Sequence, residues 1–186
     1  MRDQQIKTAL DPVWSGFVGI DWSGAKAEFI AGIQLAIAFP GTAVPKTLLP
    51  PQGKHWSRRN VYDFLCDQAA QTKPCKPLLV GIDFAFAHPF VDCGGYFPGC
   101  KRAPFDVTEL WQLVNEVNHD MPHFYGGGMF CHPVWGAFYL APPLFDAQLY
   151  AARRRLTEQA AKDSGRSPST TFKAVGPDNV GTGSMA

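Results

Sequence analysis

The sequence predicts a mixed α/β fold, in which a sheet of mixed strand direction packs against helices. Apolar stretches with strand character are separated by segments whose apolar residues recur with helical spacing. The motif Val-Gly-Ile-Asp occurs at 18–21 and again at 80–83, each time at the end of an apolar stretch. The composition, with 46% hydrophobic and 18% charged residues in a chain of 186, is that of a protein that buries a sizeable core.

The first two apolar stretches predict an antiparallel hairpin. Residues 14–20 are apolar and rich in β-forming types, and this stretch ends at Asp21. Residues 28–39 are also apolar, and the Gly32 and Gln34 within them favour a strand over a helix. Because only a short turn-forming segment separates the two stretches, we expect them to pair.

A short edge strand, a helix and a buried strand are predicted next. Residues 40–56 hold four prolines, which confine any strand there to the edge of a sheet. A helix is predicted over 57–72, with Ser57 as its N-cap and apolar residues recurring on one face. The apolar run 78–84 is typical of a strand buried on both faces, and a right-handed crossover would lay it parallel to the first strand.

The remaining chain predicts two more helices around a long loop. Asp106 and Glu109 have the spacing of a capping box at the start of a helix. Residues 120–143 are aromatic and rich in glycine, which predicts a long irregular loop. A last helix is predicted over 144–162, with Gly165 at its C-terminal end.

Asp21 and Asp83, which end the two repeated motifs, are the leading candidates for chemistry. Adjacent parallel strands would bring both carboxylates to the carboxyl edge of the sheet, where open α/β sheets place ligands. Two neighbouring carboxylates repel, so that one is protonated or a cation lies between them. Mg²⁺ suits such a pair, because this hard divalent ion binds carboxylate oxygens and keeps waters for a phosphate. Each aspartate by itself is also explained as a turn-forming residue at a strand end.

Several motifs together resemble one family. They are VGIDWSGA at 18–25, Trp56-Ser57-Arg58, VGIDFAFAHPF at 80–90, Arg155 with Glu158, and VGTGSMA at 180–186. In this order they resemble domain-of-unknown-function family 429, whose members are regarded as predicted nucleases of the RNase H-like fold. The resemblance extends over residues 14–186.

The resemblance implies an RNase H-like α/β fold, of the ribonuclease H and actin type, with a five-stranded mixed sheet whose first three strands are antiparallel. Residues 1–12 are polar and are expected to form a loose arm, which leaves a single RNase H-like domain over 13–186. The chain ends at Ala186, directly after a glycine-rich motif, with no fifth strand or late carboxylate-bearing helix. We therefore expect this domain to be truncated at its C-terminus.

The resemblance also implies a function, metal-dependent phosphodiester hydrolysis with nucleic acid as the partner. It matches Asp21 and Asp83 to the catalytic carboxylates of the first and fourth strands, which bind Mg²⁺ or Mn²⁺ in active relatives of the fold. RNase H-like sites use further carboxylates, and Asp63 in the first predicted helix is the candidate for a third ligand. The missing late carboxylate puts catalysis by this chain alone in question.

Five residues are candidates for binding substrate. Ser23 and Lys26 lie in the turn after the first motif and are expected to contact a phosphate. His88 follows the second motif and is a candidate proton shuttle at the rim of the site, or else an ordinary loop histidine. Arg58 and Arg155 are candidates for contacts with phosphates.

Charge and cysteine content bear on location and partners. The net charge is +1, which gives no global field towards nucleic acid or an acidic membrane, although 151–186 hold six basic and three acidic residues. Five cysteines with no preceding signal segment argue against a disulfide scaffold and for the cytoplasm. No apolar run is long enough for a membrane span, so no membrane association is expected.

Two other classes of function stay open. GIDWSG at 19–24 resembles the first phosphate loop of the actin and sugar-kinase phosphotransferases, although 186 residues cannot hold their duplicated domain. A non-catalytic fragment or interaction module is the other class, and the missing late carboxylate favours it. A zinc site is less favoured because no CxxC pair occurs; its ligands would be Cys93, Cys100, Cys131 and His132.

Overall fold

A computed structural model describes residues 14–41, 44–71, 77–141, 147–174, 183 and 185–186. The chain divides into two compact units. The first unit holds the chain up to Trp22 together with Glu28–Asp83, and the second holds Ser23–Ala27 together with Phe84–Ala186. The arm predicted over 1–12 lies outside the described residues, and the single RNase H-like domain over 13–186 stays a prediction.

The first unit is built on a four-stranded mixed sheet. The strands of this unit are β1 (Gly16–Asp21), β2 (Phe29–Ile30), β3 (Gln34–Ala38), β4 (Lys46–Leu48), β5 (Trp56–Ser57) and β6 (Leu78–Ile82). The large sheet has the order β4-β3-β1-β6, and β2 pairs separately with β5. β1 runs antiparallel to β3 and parallel to β6, while β4 is an antiparallel edge strand. The predicted mixed α/β fold, the edge strand and the parallel crossover are therefore confirmed.

The predicted hairpin is confirmed with one change. β1 pairs with β3 in antiparallel register, and the ladder ends with Asp21 opposite Gln34. Residues 28–39 do not form one strand, because a turn that includes Gly32 separates β2 from β3. Glycine weakens a strand interior and readily forms turns, which accounts for the break at this position.

One face of the large sheet is buried beneath a helix. The residues of β1 alternate between buried and exposed, and Val18 lies on the buried face. α1 (Arg58–Gln71) follows β5 and contributes Val61, which is 1% exposed, to the same apolar cluster. The Ser57 hydroxyl accepts the backbone N–H of Asn60 at 3.1 Å, so the predicted N-cap is confirmed.

The second unit is built from short helices. They are α2 (Val107–Val117), α3 (Gly128–Cys131) and α4 (Leu156–Asp163), with 3₁₀ turns at Pro122–Phe124 and Trp135–Phe138. The Asp106 carboxylate accepts the N–H of Glu109 at 2.9 Å and caps α2, as predicted. Within the described part of the chain, no helix is long and apolar enough to cross a membrane.

The segment predicted as an irregular loop over 120–143, described as far as 141, supplies much of the core of the second unit. Met129 and Tyr139 are completely buried within it. The Tyr139 ring lies 5.3 Å from the ring of Phe172 and 6.3 Å from that of Phe97, measured between centroids. The aromatic residues of this segment are therefore explained by packing.

The last helix is shorter than the prediction of 144–162. α4 begins at Leu156, and the described residues 147–155 are not helical. Arg155 is the N-cap of the helix, and its N–H donates to the Glu158 carboxylate at 2.9 Å. The apolar residues before this cap recur with helical spacing, but they do not form a helix, because hydrogen bonds of Arg153 to residues 89–96 hold this stretch in another conformation.

Gly165 ends α4 as predicted. Its φ of +85° is in the left-handed region, and its N–H donates to the Lys162 carbonyl at 2.9 Å. The N–H of Arg166 donates to the Ala161 carbonyl at 3.0 Å. These two hydrogen bonds form a Schellman motif, in which glycine avoids the steric cost of the left-handed conformation.

Candidate functional site

Asp21 and Asp83 are brought together at the carboxyl edge of the large sheet. β1 and β6 pair in parallel register up to Ile20 opposite Ile82, and the N–H of Asp83 donates to the Ile20 carbonyl at 2.9 Å. The two aspartates are therefore neighbours on adjacent strands, which are spaced about 4.8 Å apart in a sheet. Both residues are exposed.

Neither carboxylate of this pair is engaged by the protein within the described ranges, where it makes no hydrogen bond and no ion pair. Gln34 of β3 lies opposite Asp21 on the other side, and its side-chain amide donates to the Ala31 carbonyl at 3.1 Å. We call Gln34, Asp21 and Asp83 the carboxylate edge. It offers two unengaged anionic groups to an ion or ligand from solvent.

Gly19 and Gly81 lie opposite each other on β1 and β6, two residues before Asp21 and Asp83 and on the exposed face of the sheet. A Cβ added at either glycine would meet no atom within 4 Å, and neither backbone is left-handed. The fold therefore does not require glycine at these positions. Glycine inside a strand often marks a place where a ligand or another backbone approaches closely.

Asp63 is not drawn to the carboxylate edge as a third ligand. Its carboxylate pairs with Arg59 one helical turn earlier, at 3.2 Å, and both side chains are exposed. No group of three or more His, Cys, Asp or Glu side chains that could hold a metal occurs in the described part of the chain. That result also leaves the thiol and histidine candidates for zinc without support.

Arg58 is buried rather than exposed for phosphate contacts, which corrects its predicted role. It is 3% exposed, and its guanidinium lies 5.9 Å from the centre of the Trp22 ring in a cation–π contact. Its position as the first residue of α1, directly after buried β5, turns it into the first unit's interior. A buried guanidinium of this kind supports the fold and is not accessible to a substrate.

Ser23 and Lys26 lie in the segment Ser23–Ala27, which belongs to the second unit. The Ser23 hydroxyl accepts the N–H of Ala25 at 3.3 Å, and Lys26 is exposed. Their contact with a phosphate stays a prediction.

His88 is a buried core residue, and the prediction of a proton shuttle at an exposed rim is wrong. Its Nδ1 lies 2.8 Å from the Thr171 hydroxyl and its Nε2 lies 2.7 Å from the Tyr139 hydroxyl. Burial lowers the pKa of His88 to about 3, and the positive charges of Arg153 and Arg155 lower it further. Near neutral pH this histidine is uncharged and both ring nitrogens are engaged.

Arg153 is the residue that organises the loop around it. It makes a bidentate ion pair with Asp92, with nitrogen–oxygen distances of 2.8 and 2.6 Å. Its remaining N–H groups donate to three backbone carbonyls, those of Pro89, Gly95 and Tyr96, at 2.6–2.8 Å. The hydrogen bonds from the Arg153 guanidinium to the Asp92 carboxylate lower the pKa of Asp92. Together with the bonds to the carbonyls, they hold residue 153 outside α4.

Arg155 is committed to the start of α4. Its guanidinium donates to the Glu158 carboxylate at 2.6 and 3.0 Å, while its own backbone N–H donates to the same carboxylate. The arginine side chain is 34% exposed. A phosphate could reach it only in competition with Glu158, so its substrate-binding role stays a prediction.

The residues that sequence reasoning missed are Gln34 as part of the carboxylate edge, the Gly19–Gly81 pair and the Arg153 hydrogen bonds. The signal for Gln34 was that it is the one polar residue within the apolar run 29–39. The signal for the glycines was their identical place in the repeated motif. For Arg153 there was none, because its partners lie 57–64 residues away in the chain.

Comparison with protein-family models, with curated proteins and with solved structures finds no match in any of the three. The family resemblance and the RNase H-like assignment therefore stay predictions. What is established is the local geometry, two unengaged carboxylates on adjacent parallel strands beside a pair of glycines.

Proposed function

We propose that this chain is a divalent-metal-dependent nuclease of the RNase H-like type, in which Asp21 and Asp83 hold the metal. The observation that carries the proposal is the parallel β1–β6 register, which makes the two unengaged carboxylates neighbours. Three antiparallel strands followed by one parallel to β1 also agree with the sheet that the sequence resemblance implies. The glycine pair supports it further, because it leaves room for a polymer backbone beside the carboxylates.

The residues present fit a magnesium or manganese ion. Mg²⁺ commonly takes only one or two protein carboxylates and completes its coordination with water and substrate phosphate. Asp21 and Asp83 supply those two carboxylates, and their exposure leaves the remaining positions open to solvent. An ion bound there would supply Lewis-acid stabilisation of a phosphate and a deprotonated water near neutral pH.

The chain's own residues would then orient the substrate. Gly19 and Gly81 carry no side chain on this exposed face, and we propose that the sugar–phosphate backbone of a substrate lies over them. Gln34 beside Asp21 is placed to donate a hydrogen bond to a substrate oxygen when it releases the Ala31 carbonyl. Contacts of Ser23, Lys26 and Arg155 with a phosphate stay predictions from the sequence, because these residues belong to the second unit.

The test combines metal binding with cleavage, measured separately. Titration of the protein with Mn²⁺, followed by calorimetry or electron paramagnetic resonance, should give a binding event that Asp21→Asn and Asp83→Asn each abolish. Mn²⁺-dependent cleavage of single-stranded and double-stranded DNA and RNA should disappear in the same two variants. Asp67→Asn is the matched control, since it removes one exposed aspartate of α1 and should change neither readout.

The results separate the possible failures. Mn²⁺ binding that survives both Asp21→Asn and Asp83→Asn would overturn the metal site. Binding that depends on both residues, without cleavage of any nucleic acid, would overturn the nuclease and favour a non-catalytic module. Asp63→Asn in the same assays decides whether Asp63 leaves Arg59 to serve as a third ligand, because only then would its loss weaken Mn²⁺ binding.

A further inference from the structure

The second unit contains a cleft along one face of α2 that no part of the proposed function uses. Its volume is about 660 Å³, within the range of roughly 300–1,000 Å³ that is typical of small-molecule sites. The apolar part of its lining is formed by Leu113, Val117, Val134 and the buried Trp135. An apolar body of a ligand would be removed from water there.

Lys101 and Arg102 supply positive charge to this cleft. They are the central residues of a turn closed by the N–H of Ala103 donating to the Cys100 carbonyl at 3.2 Å, and both are exposed. Neither makes an ion pair with any residue of the described ranges. The turn therefore presents two unpaired cations side by side.

His132 lines the same cleft and adds a hydrogen-bond donor, its Nε2–H group. Its Nδ1 accepts the backbone N–H groups of Val134 and Trp135 at 3.1 and 3.3 Å. In a neutral imidazole the proton must then be on Nε2, which is left as a donor. The ring stacks on Trp135 at 27° with the centroids 6.1 Å apart, and this stacking orients it.

The lining of the cleft also carries hydrogen-bond acceptors. The Glu109 carboxylate already accepts the N–H of Phe105 at 2.7 Å and lies in the first turn of α2, where the helix favours negative charge. Glu116 lies seven residues further along the helix, about 10 Å away at 1.5 Å per residue. Gln112 and Glu116 thus suit hydroxyl or amino groups of a ligand rather than its anionic group.

We infer that this cleft binds a small organic anion, a phosphate monoester or a carboxylate attached to an apolar body. The anionic group is held by Lys101, Arg102 and the Nε2–H of His132, while the body lies against Leu113 and Val134. Charge-assisted hydrogen bonds of this kind are the strong ones, and arginine suits the planar geometry of both carboxylate and phosphate. The inference does not rest on the nuclease, because every residue it uses belongs to the second unit.

The test uses three probes with the full chain: phenyl phosphate, benzoate and inorganic phosphate. We expect one of the two organic anions to bind more tightly than inorganic phosphate, as measured by calorimetry, and the preferred one identifies the anionic group. The double variant Lys101→Gln/Arg102→Gln should weaken that binding by at least about tenfold, the equivalent of one charge-assisted hydrogen bond. His132→Asn, which keeps an acceptor for the backbone N–H groups, should weaken it as well.

Lys162→Gln/Arg166→Gln is the matched control. It removes the same two charges from exposed residues of the second unit outside the cleft and should leave binding unchanged. An equal loss of affinity in the control would overturn the inference, since the effect would then be one of net charge. Failure of both organic anions to bind at millimolar concentration, or binding no tighter than that of inorganic phosphate, would also overturn it.

Discussion

Because His88 is buried, we expect the free energy of unfolding to fall as the pH is lowered, by an amount that follows from the pKa of this residue. The folded pKa of His88 is lowered from 6.5 to about 3, chiefly by burial. A histidine with a lowered pKa contributes stability that is complete above its unfolded pKa. As the pH falls below 6.5 the unfolded chain takes up a proton that the folded chain does not, so the free energy of unfolding falls with pH.

The magnitude follows from the shift. Each pH unit well below 6.5 costs about 1.4 kcal/mol for one proton, and the unfolded histidine is already half protonated at pH 6.5. The free energy of unfolding should therefore fall by about 2 kcal/mol between pH 6.5 and pH 4.5. The loss should approach about 5 kcal/mol near pH 3, where the folded state also becomes protonated. For a domain whose total stability is about 5–15 kcal/mol, this is enough to cause acid unfolding.

Urea unfolding at pH 7.0, 6.0, 5.0 and 4.5 measures this slope. His88→Gln is the comparison, because it removes the titrating group and keeps one donor and one acceptor for the two hydroxyls. The variant should be less stable at pH 7, by about 1–3 kcal/mol for imperfectly satisfied hydrogen bonds, but its stability should change much less with pH. Equal slopes in the two proteins over this window would refute the reasoning, and so would a His88 ring that titrates near 6.5 by nuclear magnetic resonance in the folded state.

Three further predictions concern other positions. Arg153→Lys keeps the charge but loses the bidentate pair with Asp92 and the carbonyl contacts, so urea unfolding should show a loss of about 3 kcal/mol, and a loss below about 1 kcal/mol would contradict the hydrogen-bond network. The valine side chain of Gly81→Val would lie in open space, so this variant should change stability by less than about 1 kcal/mol. If the nucleic acid lies over Gly19 and Gly81, the same variant should reduce cleavage about tenfold or more. Gly165→Ala should lower stability by about 1 kcal/mol, because the left-handed φ of +85° is strained for alanine, and an unchanged urea midpoint would refute this.

The elements that could be predicted from the sequence are those whose determinants are local. Ser57 and Asp106 cap helices through hydrogen bonds to N–H groups three residues later, so their signals lie within one turn. The repeated motif marked β1 and β6 through their apolar residues. The expectation that the second of these strands is buried on both faces is wrong, because the residues of β6 alternate between partly buried and exposed. Since the motif ends at the same point in both strands, the juxtaposition of Asp21 and Asp83 also followed once the crossover was assumed.

The elements that could not be predicted depend on distant contacts. His88 is followed by proline in a loop, a context typical of the surface, but Thr171 and Tyr139 bury it from 83 and 51 residues away. Arg153 lies in a stretch whose apolar residues have helical spacing, but five hydrogen bonds to residues 89–96 hold it in a non-helical segment. In both cases tertiary hydrogen bonds outweigh a local propensity of less than about 1 kcal/mol per residue.

Polar residues that stabilise this fold differ from candidate binding residues in whether their polar atoms are already hydrogen-bonded within the protein. The Arg153 guanidinium donates to the Asp92 carboxylate and to three backbone carbonyls. Both ring nitrogens of His88 are hydrogen-bonded to hydroxyl groups of the protein. A ligand could bind either residue only by breaking these bonds. Asp21 and Asp83 have the opposite character within the described ranges, because they lie side by side and the protein leaves their carboxylates unengaged. We therefore propose a cation and a substrate as the partners of this carboxylate pair, which lies beside two glycines that the backbone conformation does not require.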